Sequence, residues 1–330
     1  MIENRKDEHV RLALAQVDLA PASDFDLVSL EHDSIPNLKV DDIDLTTSIA
    51  GIDLVSPLFI NAMTGGSDKT KGINEKLAEV ARLVNIPIAS GSLSSALKNP
   101  DNEASFSILR KTNPDGIIFA NVGAEYDLSA AQKAVDILSA NALQIHVNVI
   151  QEVVMPEGDR DFTSWNTNIA EIAKSLSVPL IVKEVGFGMS SASIKKLINL
   201  GVKTIDLSGY GGTNFAKIEN ARREDFDMSY LENMGISTVQ SLINAKDYLS
   251  EVEIIASGGI RNPLDVIKSL AMGASAVGMS SFVLSNVEKH GVNKTVEILN
   301  AWNYQLKLIM TLLGVKNIKE LQKIKVNIKL

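Results

Sequence analysis

The feature that most constrains how this chain can fold is a series of eight short apolar segments, each with Gly, Ser or Asn at or near its end. Helix-like patterns lie between these segments, at 74–84, 128–138, 164–176, 191–200 and 262–273. Alternating strands and helices predict right-handed βαβ units and a parallel sheet. Eight such units in one chain of 330 residues favour a closed α/β architecture, the (β/α)8 TIM barrel, over an open sheet. The eight predicted strands are PLFINAMTGG (57–66), IPIASGS (86–92), GIIFANVG (116–123), LQIHVNV (143–149), PLIVKEVGFG (179–188), KTIDLSGYGG (203–212), EIIASGGIR (253–261) and SAVGMSS (275–281).

An N-terminal extension precedes the first predicted barrel strand. Residues 1–50 contain a charged, helix-like start, and IDLTTSIAGIDL (43–54) has the pattern of a small hairpin. No linker rich in Pro or Ser and no low-complexity tract interrupts the chain. We therefore predict one domain, in which an arm and hairpin (1–50) pack on a barrel (51–330).

Composition excludes several classes of function. The formal charge is −8 with no basic block, which argues against nucleic-acid binding and against an anionic membrane surface as partner. The chain has no cysteine, so disulfides, thiolate metal sites and cysteine nucleophiles are excluded. Its N-terminus lacks the pattern of a secretory signal, and no apolar run reaches the roughly 18 residues of a membrane span. A soluble, cytoplasmic protein is expected.

Three glycine- and hydroxyl-rich loops follow the last three predicted strands. They are SGYGGTN, with Ser208 and Thr213, SGGIR, with Gly258 and Gly259, and GMSS, with Ser280 and Ser281. Glycines let a backbone approach a ligand closely, and helix N-termini bind anions. The loops after the seventh and eighth strands are the usual phosphate site of such barrels. The sequence therefore predicts a phosphorylated ligand at this rim.

The fourth predicted strand ends in an unusual concentration of polar groups, HVNVIQE (146–152). Alternation places His146 and Asn148 on one face of the strand, and Val147 and Val149 on the other, against the helices. Gln151 and Glu152 follow in the rim loop.

Each of these candidates has a structural alternative. A single carboxylate suits Mg²⁺, so Glu152 is either a metal ligand or a partner in a surface salt bridge. His146 is either a catalytic group or a satisfied core histidine.

Other polar residues end strands at the same rim. Lys183 ends the fifth predicted strand, and its buried charge requires an anion. It is an ion-pair partner of Glu184 or another carboxylate, a Schiff-base lysine, or a cation that faces a cofactor. Asn61 and Asn121 end the first and third strands. A rim of Asn, Ser, Thr and one Lys is suited to a polar, planar ring system.

The N-terminal sequence RKDEH (5–9) is dense in charge. On a helix, Arg5 and His9 share one face. The segment is either a solvated helix end or an arm that carries cations to a diphosphate.

Six motifs, in order along the chain, resemble those of the type 2 isopentenyl-diphosphate delta-isomerases. That family consists of flavin-dependent TIM barrels that interconvert isopentenyl and dimethylallyl diphosphate with reduced FMN and Mg²⁺. The resemblance covers residue 4 to about 281, and its most specific elements are QE followed by PEGDRDF, and GGTNFAKIE. The motifs are NRKDEH, NAMTGG, HVNVIQE with PEGDRDF, VPLIVKEVGFG, DLSGYGGTNFAKIE and ASGGIRNPLD.

The resemblance implies a site for each ligand. Glu152 would bind Mg²⁺ that bridges the substrate diphosphate, and Gln151 and His146 would be catalytic. The residues that would bind the isoprenyl diphosphate substrate are Arg5, Lys6, His9, Ser92, Leu93, Ser94, Asn148 and Gln151. The residues that would bind FMN are Ala62, Met63, Thr64, Ser92, Asn121, Lys183, Ser208, Thr213, Gly258, Gly259, Ile260, Arg261, Ser280 and Ser281. The resemblance also implies NADPH as reductant and a homo-oligomer, a tetramer or an octamer.

One loop departs from the family pattern. Many members have Gln-Arg or Met-Arg after Ser92, where this chain has Leu93 and Ser94. An arginine at that position would pair with diphosphate. Lys98 is the candidate that replaces it.

The isomerisation needs an acid and a base at opposite ends of a three-carbon unit. Gln151 does not titrate near neutral pH, and His146 is one group for two tasks. The simplest hypothesis is that reduced flavin itself supplies both functions, with Lys183 stabilising negative charge on it.

The sequence is also compatible with other functions. A dihydroorotate- or hydroxy-acid-dehydrogenase-like FMN oxidoreductase, a flavin-free sugar-phosphate isomerase and a non-catalytic binding barrel share parts of the pattern.

Overall fold

The structure is a computed structural model that describes residues 5–17 and 23–329. The predicted arm also includes residues 1–4 and 18–22, which lie outside the described residues, as does residue 330. The helices are α1 (Arg5–Val17), α2 (Asp68–Val84), α3 (Ser94–Lys98), α4 (Ala104–Thr112), α5 (Leu128–Leu138), α6 (Val149–Val154), α7 (Trp165–Ser175), α8 (Ser191–Asn199), α9 (Phe215–Asn220), α10 (Thr238–Ala245), α11 (Pro263–Ala271), α12 (Ser281–Leu312, kinked at Gly291) and α13 (Ile318–Leu321).

A closed barrel of parallel strands forms the centre of the protein, with order β10-β11-β4-β5-β6-β7-β8-β9. Each predicted strand segment overlaps one of these strands, so the (β/α)8 barrel is confirmed. The strands are β1 (Val28–Leu30), β2 (Thr47–Ile49), β3 (Ile52–Leu54), β4 (Leu58–Ile60), β5 (Ile88–Ala89), β6 (Ile118–Gly123), β7 (Ala142–His146), β8 (Leu180–Lys183), β9 (Thr204–Asp206), β10 (Glu253–Ser257), β11 (Ala276–Met279) and β12 (Val326–Ile328).

The barrel has two apolar layers because its strands are buried on both faces. The inner layer includes Phe59 and Phe119, whose rings meet edge to face with centroids 6.2 Å apart. The outer layer is continuous with the apolar faces of the surrounding helices. This arrangement fixes the strands, so that all eight carboxyl ends open at one rim.

The hairpin β2–β3 covers the opposite end of the barrel. Ile49 and Leu54 pack against the inner layer, and the N–H of Ala50 donates to Glu253 Oε2 at 2.6 Å. Glu253 begins β10, so the hairpin sits at the amino ends of the strands, away from the rim. The predicted hairpin is confirmed.

The helices largely follow the predicted positions. The segment predicted at 128–138 is α5, and those at 191–200 and 262–273 are α8 and α11. The sequence pattern did not indicate α10, which lies between β9 and β10 and begins after the N-cap Ser237. In the described part of the chain, no helix is long and apolar enough to cross a membrane.

Candidate active site at the barrel rim

A belt of seven polar side chains crosses the barrel interior at the carboxyl ends of the strands. Within it, Asn61 Nδ2 donates to Asp206 Oδ2 at 2.6 Å, and Gln144 Nε2 donates to Asn61 Oδ1 at 3.1 Å. Asn121 Nδ2 donates to Gln144 Oε1 at 3.2 Å. Buried polar groups need such partners, so the belt is a satisfied network that also gives the rim its chemistry. Its members are Asn61, Asn121, Gln144, His146, Lys183, Asp206 and Ser257.

Lys183 and Asp206 lie on neighbouring strands in register. Burial lowers the pKa of Lys183, and the charge of Asp206 opposes that shift. Burial raises the pKa of Asp206, while Lys183 and a 2.6 Å bond from Ser257 Oγ stabilise its ionised form. The ammonium group also donates to the carbonyl of Glu184 at 2.8 Å. Lys183 is therefore buried beside the carboxylate of Asp206, whose charge acts on it more strongly than that of Glu184. The ion-pair interpretation stays a prediction.

The Glu184 side chain serves the loop rather than the lysine. Its Oε2 accepts bonds from the N–H groups of Val185, Gly186 and Phe187, at 2.5 to 2.8 Å. Burial raises the pKa of Glu184 to about 7, and these three donors oppose the shift. The carboxylate thereby shapes the turn that follows β8.

His146 is a buried, neutral imidazole. Its Nδ1 lies 2.8 Å from Asn121 Oδ1. Burial, together with the charges of Lys183 and Lys6, lowers the pKa of His146 to about 3. At neutral pH the ring carries one proton, so it can hydrogen-bond to a substrate but is a poor source of a proton.

The strand that carries His146 ends three residues earlier than its sequence pattern indicated. The structure ends β7 at His146, and Asn148 is the residue before α6. The prediction that His146 and Asn148 share a strand face is therefore wrong, as is the placement of Val149 against the helices, because Val149 is 44% exposed in α6. Alternating apolar residues fit both a strand and the first turn of a helix, and the chain turns here.

Helix α6 brings together the polar groups that follow the strand. Asn148 Nδ2 donates to Glu152 Oε1 at 2.7 Å and lies 3.3 Å from Gln151 Oε1. The second oxygen of Glu152 accepts the N–H of Asp159 at 2.8 Å, which ties the PEGDRDF loop to the helix. Each carboxylate oxygen keeps a second lone pair. Glu152 is thus oriented and retains capacity for a cation.

No three His, Asp or Glu side chains within residues 5–17 and 23–329 are grouped so that they could hold a metal ion. The predicted Mg²⁺ site needs one carboxylate, with the remaining ligands from water and diphosphate. Glu152 therefore stays a predicted metal ligand.

Glu219 is a site residue that sequence reasoning did not single out. Its side chain has no exposed surface, and its Oε1 accepts a bond from Gln151 Nε2 at 2.8 Å. On its other oxygen it binds Arg222 at 2.5 Å. Glu219 is the last residue of the GGTNFAKIE motif, and its place in that motif was the sequence signal that could have identified it.

The N-terminal helix lies against the same rim. His9 Nε2 is 3.2 Å from Glu219 Oε1, and Arg5 Nη1 is 3.3 Å from Glu157 Oε1. Burial and the neighbouring Arg5 lower the pKa of Lys6 to about 8. Asp7 Oδ1 accepts from Ser67 Oγ at 2.6 Å and anchors the helix. The predicted arm therefore does bring its cations to the rim.

The loop after β5 contains the departure from the family pattern. Ser92 Oγ and Ser94 Oγ are 2.6 Å apart, while Leu93 is fully buried in the main core. Lys98 is exposed. The serines face each other as a polar pair, and Leu93 acts through packing.

The remaining predicted cofactor residues lie in the loops after β4, β9, β10 and β11. Thr64 is buried, and Ala62 and Met63 are half-buried. Arg261 pairs through its guanidinium with Asp26 and Asp265 at 2.7 and 2.8 Å, and its N–H also donates to Asp265. Its assignment to the FMN phosphate remains a prediction. The others are Ser208, Thr213, Gly258, Gly259, Ile260, Ser280 and Ser281.

Two features of the rim fit a flat phosphorylated cofactor. The Oγ of Ser90, at the end of β5, is buried and has no hydrogen-bond partner among the described residues. A Cβ at Gly258 would lie 2.1 Å from the carbonyl oxygen of Gly209, so side chains cannot enter between these loops. The close approach of the two backbone loops and the unpartnered hydroxyl suit a ligand with a polar ring and a phosphate.

Comparison with known proteins agrees with this site. A family model described as FMN-dependent dehydrogenase matches residues 98–327. The chain is 53% identical over 323 residues to the isopentenyl-diphosphate delta-isomerase of Staphylococcus haemolyticus, covering 98% of this chain and 92% of that protein. It is 52% identical over 320 residues to the enzyme of the same name from Staphylococcus saprophyticus, covering 97% and 92%.

Solved structures with low sequence identity share the fold. A flavocytochrome b2 mutant with pyruvate bound superposes with a TM-score of 0.69 at 19% identity, covering 98% of this chain and 82% of that one. A mandelate oxidase mutant with an FMN adduct gives 0.66 at 15% identity, covering 98% and 92%. With the near-full-length similarity to the curated relatives, these findings establish that the chain belongs to the isopentenyl-diphosphate delta-isomerases, on the barrel of the FMN-dependent dehydrogenase family.

Proposed function

We propose that the protein interconverts isopentenyl and dimethylallyl diphosphate, with reduced FMN at the barrel rim and Mg²⁺ on the substrate diphosphate. The observation that carries this proposal is the fixed amide of Gln151, held by the buried carboxylate of Glu219 at 2.8 Å. This amide lies on α6, directly beyond the end of β7, where His146, Lys183 and the N-terminal cations converge.

The chain itself offers few groups that transfer protons. His146, with a pKa of about 3, stays neutral at physiological pH, so it can line the pocket but donates poorly. Gln151 orients and relays rather than titrates. Glu219 is the ionisable group next to it, and its lowered pKa keeps it an acceptor. The protein residues therefore position the alkene and exclude water.

The flavin site is proposed to use the residues named from the resemblance, with Ser90 as a further donor. Reduced FMN, when bound, would supply the acid and base that the pocket lacks, with no net electron transfer. Lys183 would stabilise negative charge on the ring, because its ammonium is buried where electrostatic effects are strong.

The diphosphate is proposed to bind between Glu152 and the arm. Mg²⁺ on Glu152 would neutralise part of its charge, and Arg5 and Lys6 would contribute direct cationic contacts. With a pKa of about 8, Lys6 is mostly charged at neutral pH, and an arriving dianion would favour that form further. Ser92, Ser94, His9 and Asn148 would line the remainder of this pocket.

Further aspects are proposed from the resemblance. NADPH would reduce the flavin, and the protein would act in the cytoplasm as a homotetramer or homo-octamer. Residues 1–50 and 51–330 would form one catalytic domain, since α1 contributes to the rim.

The hydroxy-acid oxidoreductases that share the fold are a weaker candidate. Oxidation of a hydroxy acid needs a general base, and we would expect a histidine in this role after the sixth strand. The loop SGYGGTN (208–214), which follows β9, contains none.

The proposal is tested by isolating the protein and recording its visible spectrum. Isopentenyl diphosphate, Mg²⁺ and dithionite are then added without oxygen. A flavin spectrum and production of dimethylallyl diphosphate only after reduction are expected. A flavoprotein without isoprenyl turnover contradicts the proposed substrate, and a protein that neither contains nor binds FMN contradicts the proposed cofactor.

The metal site is tested by Glu152→Gln, with Asp161→Asn, in the loop that follows α6, as the control. Asp161 is exposed, and its side chain accepts bonds from the N–H and the hydroxyl of Thr163. We expect Glu152→Gln to raise the Mg²⁺ concentration needed for half-maximal activity at least tenfold, and Asp161→Asn to leave it unchanged. Equal Mg²⁺ dependence in both variants excludes Glu152 as the ligand.

A further inference from the structure

Arg222 joins three separate elements at the rim. Its guanidinium donates to Glu219 Oε2 at 2.5 Å, to Glu157 Oε1 at 2.8 Å and to Glu8 Oε2 at 3.2 Å. Glu8 lies in α1, Glu157 in the loop after α6, and Glu219 at the end of α9. Only 13% of the arginine side chain is exposed. All three nitrogens of the guanidinium group therefore donate to carboxylates.

The carboxylate of Glu219 is shared between Arg222 and Gln151. One oxygen accepts from Arg222 and the other accepts from Gln151 Nε2 at 2.8 Å. An ionised carboxylate can only accept, so it selects the amide orientation in which the nitrogen points to Glu219. The amide oxygen of Gln151 is then left 3.3 Å from Asn148 Nδ2 and available to the pocket.

We propose that Arg222 is a positioning residue for the isomerisation: it holds the Glu219 carboxylate in place, and so fixes the amide of Gln151 toward the substrate. This inference rests on the proposed function. Among the described residues, no hydrogen bond joins Arg222 to Gln151, and Glu219 binds both, so Arg222 acts through Glu219. The ion pairs with Glu8 and Glu157 orient the guanidinium group. Through Glu8 they also connect the position of Arg222 to the N-terminal helix α1.

The inference predicts a specific pH effect. Among the described residues, the charged or titratable groups that act on Glu219 are Arg222 beside it and His9 and Lys6 on α1, while α6 presents the neutral amide of Gln151. Burial favours a protonated Glu219, and these neighbours oppose it. His9 is the largest of the influences that lower the pKa of Glu219, followed by Gln151 and Arg222, so loss of the guanidinium removes one of them and should raise that pKa.

A protonated Glu219 becomes a donor and turns the amide of Gln151 around. Activity that needs the carboxylate is present above the pKa of Glu219 and is lost as the pH falls through it. Removing Arg222 therefore moves the acid limb of kcat to higher pH, whereas a structural loss lowers kcat equally at all pH values.

The test measures kcat and KM from pH 5 to 9 in reduced, FMN-saturated wild type, Arg222→Met and Arg223→Lys. Arg223 is the matched control, because it is the neighbouring arginine and donates to Val154 at the end of α6 and to Asp225. No hydrogen bond joins its side chain to Glu219 or Gln151 within the described part of the chain. For Arg222→Met we expect kcat at pH 7 to fall at least tenfold, KM to change less than threefold, and the acid limb to rise by at least one pH unit. Arg223→Lys should keep the wild-type limb.

Two further variants keep the test decisive. Arg222→Lys preserves the positive charge but cannot reach all three carboxylates. The acid limb of its kcat profile should therefore shift in the same direction by a smaller amount. This variant replaces Arg222→Met if Arg222→Met does not fold. Glu219→Gln mimics the protonated state, and we expect its low kcat to lack the acid limb.

The outcomes separate the inference from the proposed function. Wild-type turnover with an unshifted limb in both Arg222 variants overturns the inference alone, and so does a change confined to KM. A wild type without isoprenyl turnover overturns the proposed function and the inference with it.

Discussion

Gly258 offers a sharp test of the proposed cofactor site. It adopts φ +92°, a left-handed conformation, and a Cβ there would lie 2.1 Å from the carbonyl oxygen of Gly209. The backbone conformation costs alanine about 1–2 kcal/mol. Relief of the contact with the neighbouring backbone costs roughly 1–3 kcal/mol more. We expect Gly258→Ala to lose about 2–5 kcal/mol of unfolding free energy in total.

The loops after β9 and β10 must separate to admit the methyl group. Because both loops contain residues assigned to FMN, we also expect the dissociation constant of FMN to rise at least tenfold, which corresponds to about 1.4 kcal/mol. Flavin fluorescence titration of the apoprotein measures this affinity, and urea unfolding measures the stability.

Gly201 provides the matched control. It follows α8 with φ +90°, but its added Cβ would meet only the Cβ of Ala173, at 3.9 Å. Gly201→Ala should therefore lose about 1–2 kcal/mol and bind FMN normally. If folded Gly258→Ala binds FMN as tightly as Gly201→Ala, the close approach of these loops does not build the flavin site.

Three further predictions concern buried charge. Lys183→Met removes the cation next to a buried carboxylate and should cost roughly 3 kcal/mol in urea unfolding, whereas a negligible loss indicates that the pair is uncoupled. The imidazole of His146, with a pKa of about 3 in the folded protein, contributes stability that is present above pH 6.5 and lost as the pH falls toward 3. Between pH 7 and 5 the wild type should thus lose about 2 kcal/mol more than His146→Gln, and parallel stability curves contradict this assignment. Arg261→Met leaves the buried Asp265 with two side-chain donors fewer and should cost about 1–3 kcal/mol in thermal or urea unfolding. Asp26→Asn, which alters only the exposed end of the same cluster, should change stability little, and equal losses in the two variants show that burial is not the cause.

The described structure agrees with the sequence where a property is local. Alternating apolar and amphipathic segments predicted the barrel, because each βα unit buries its own apolar faces. The adjacent pair Gln151 and Glu152 was identified from one motif. The sequence pattern gave the wrong placement of Asn148, because apolar and polar residues alternate in the same way at the end of a strand and at the start of a helix. Pairing with the neighbouring strand β8 decides where β7 ends.

The chemistry of the rim depends on residues that are far apart in the sequence. Gln151 and Glu219 are 68 positions apart, and Glu8 and Arg222 are 214 apart. Barrel closure brings them together, so no spacing rule indicates which carboxylate faces which amide. Burial of His146 and Asp206 likewise changes their pKa values only after the barrel excludes water from the belt.

The sequence by itself determined the barrel, the absence of cysteine chemistry, and the set of motifs that places the chain in its family, because these follow from composition and short-range pattern. Tertiary structure alone decided the partners of each charge, the protonation of the buried groups and the orientation of Gln151. These properties depend on distances between separate elements and on the local dielectric, which exist only once the chain has folded.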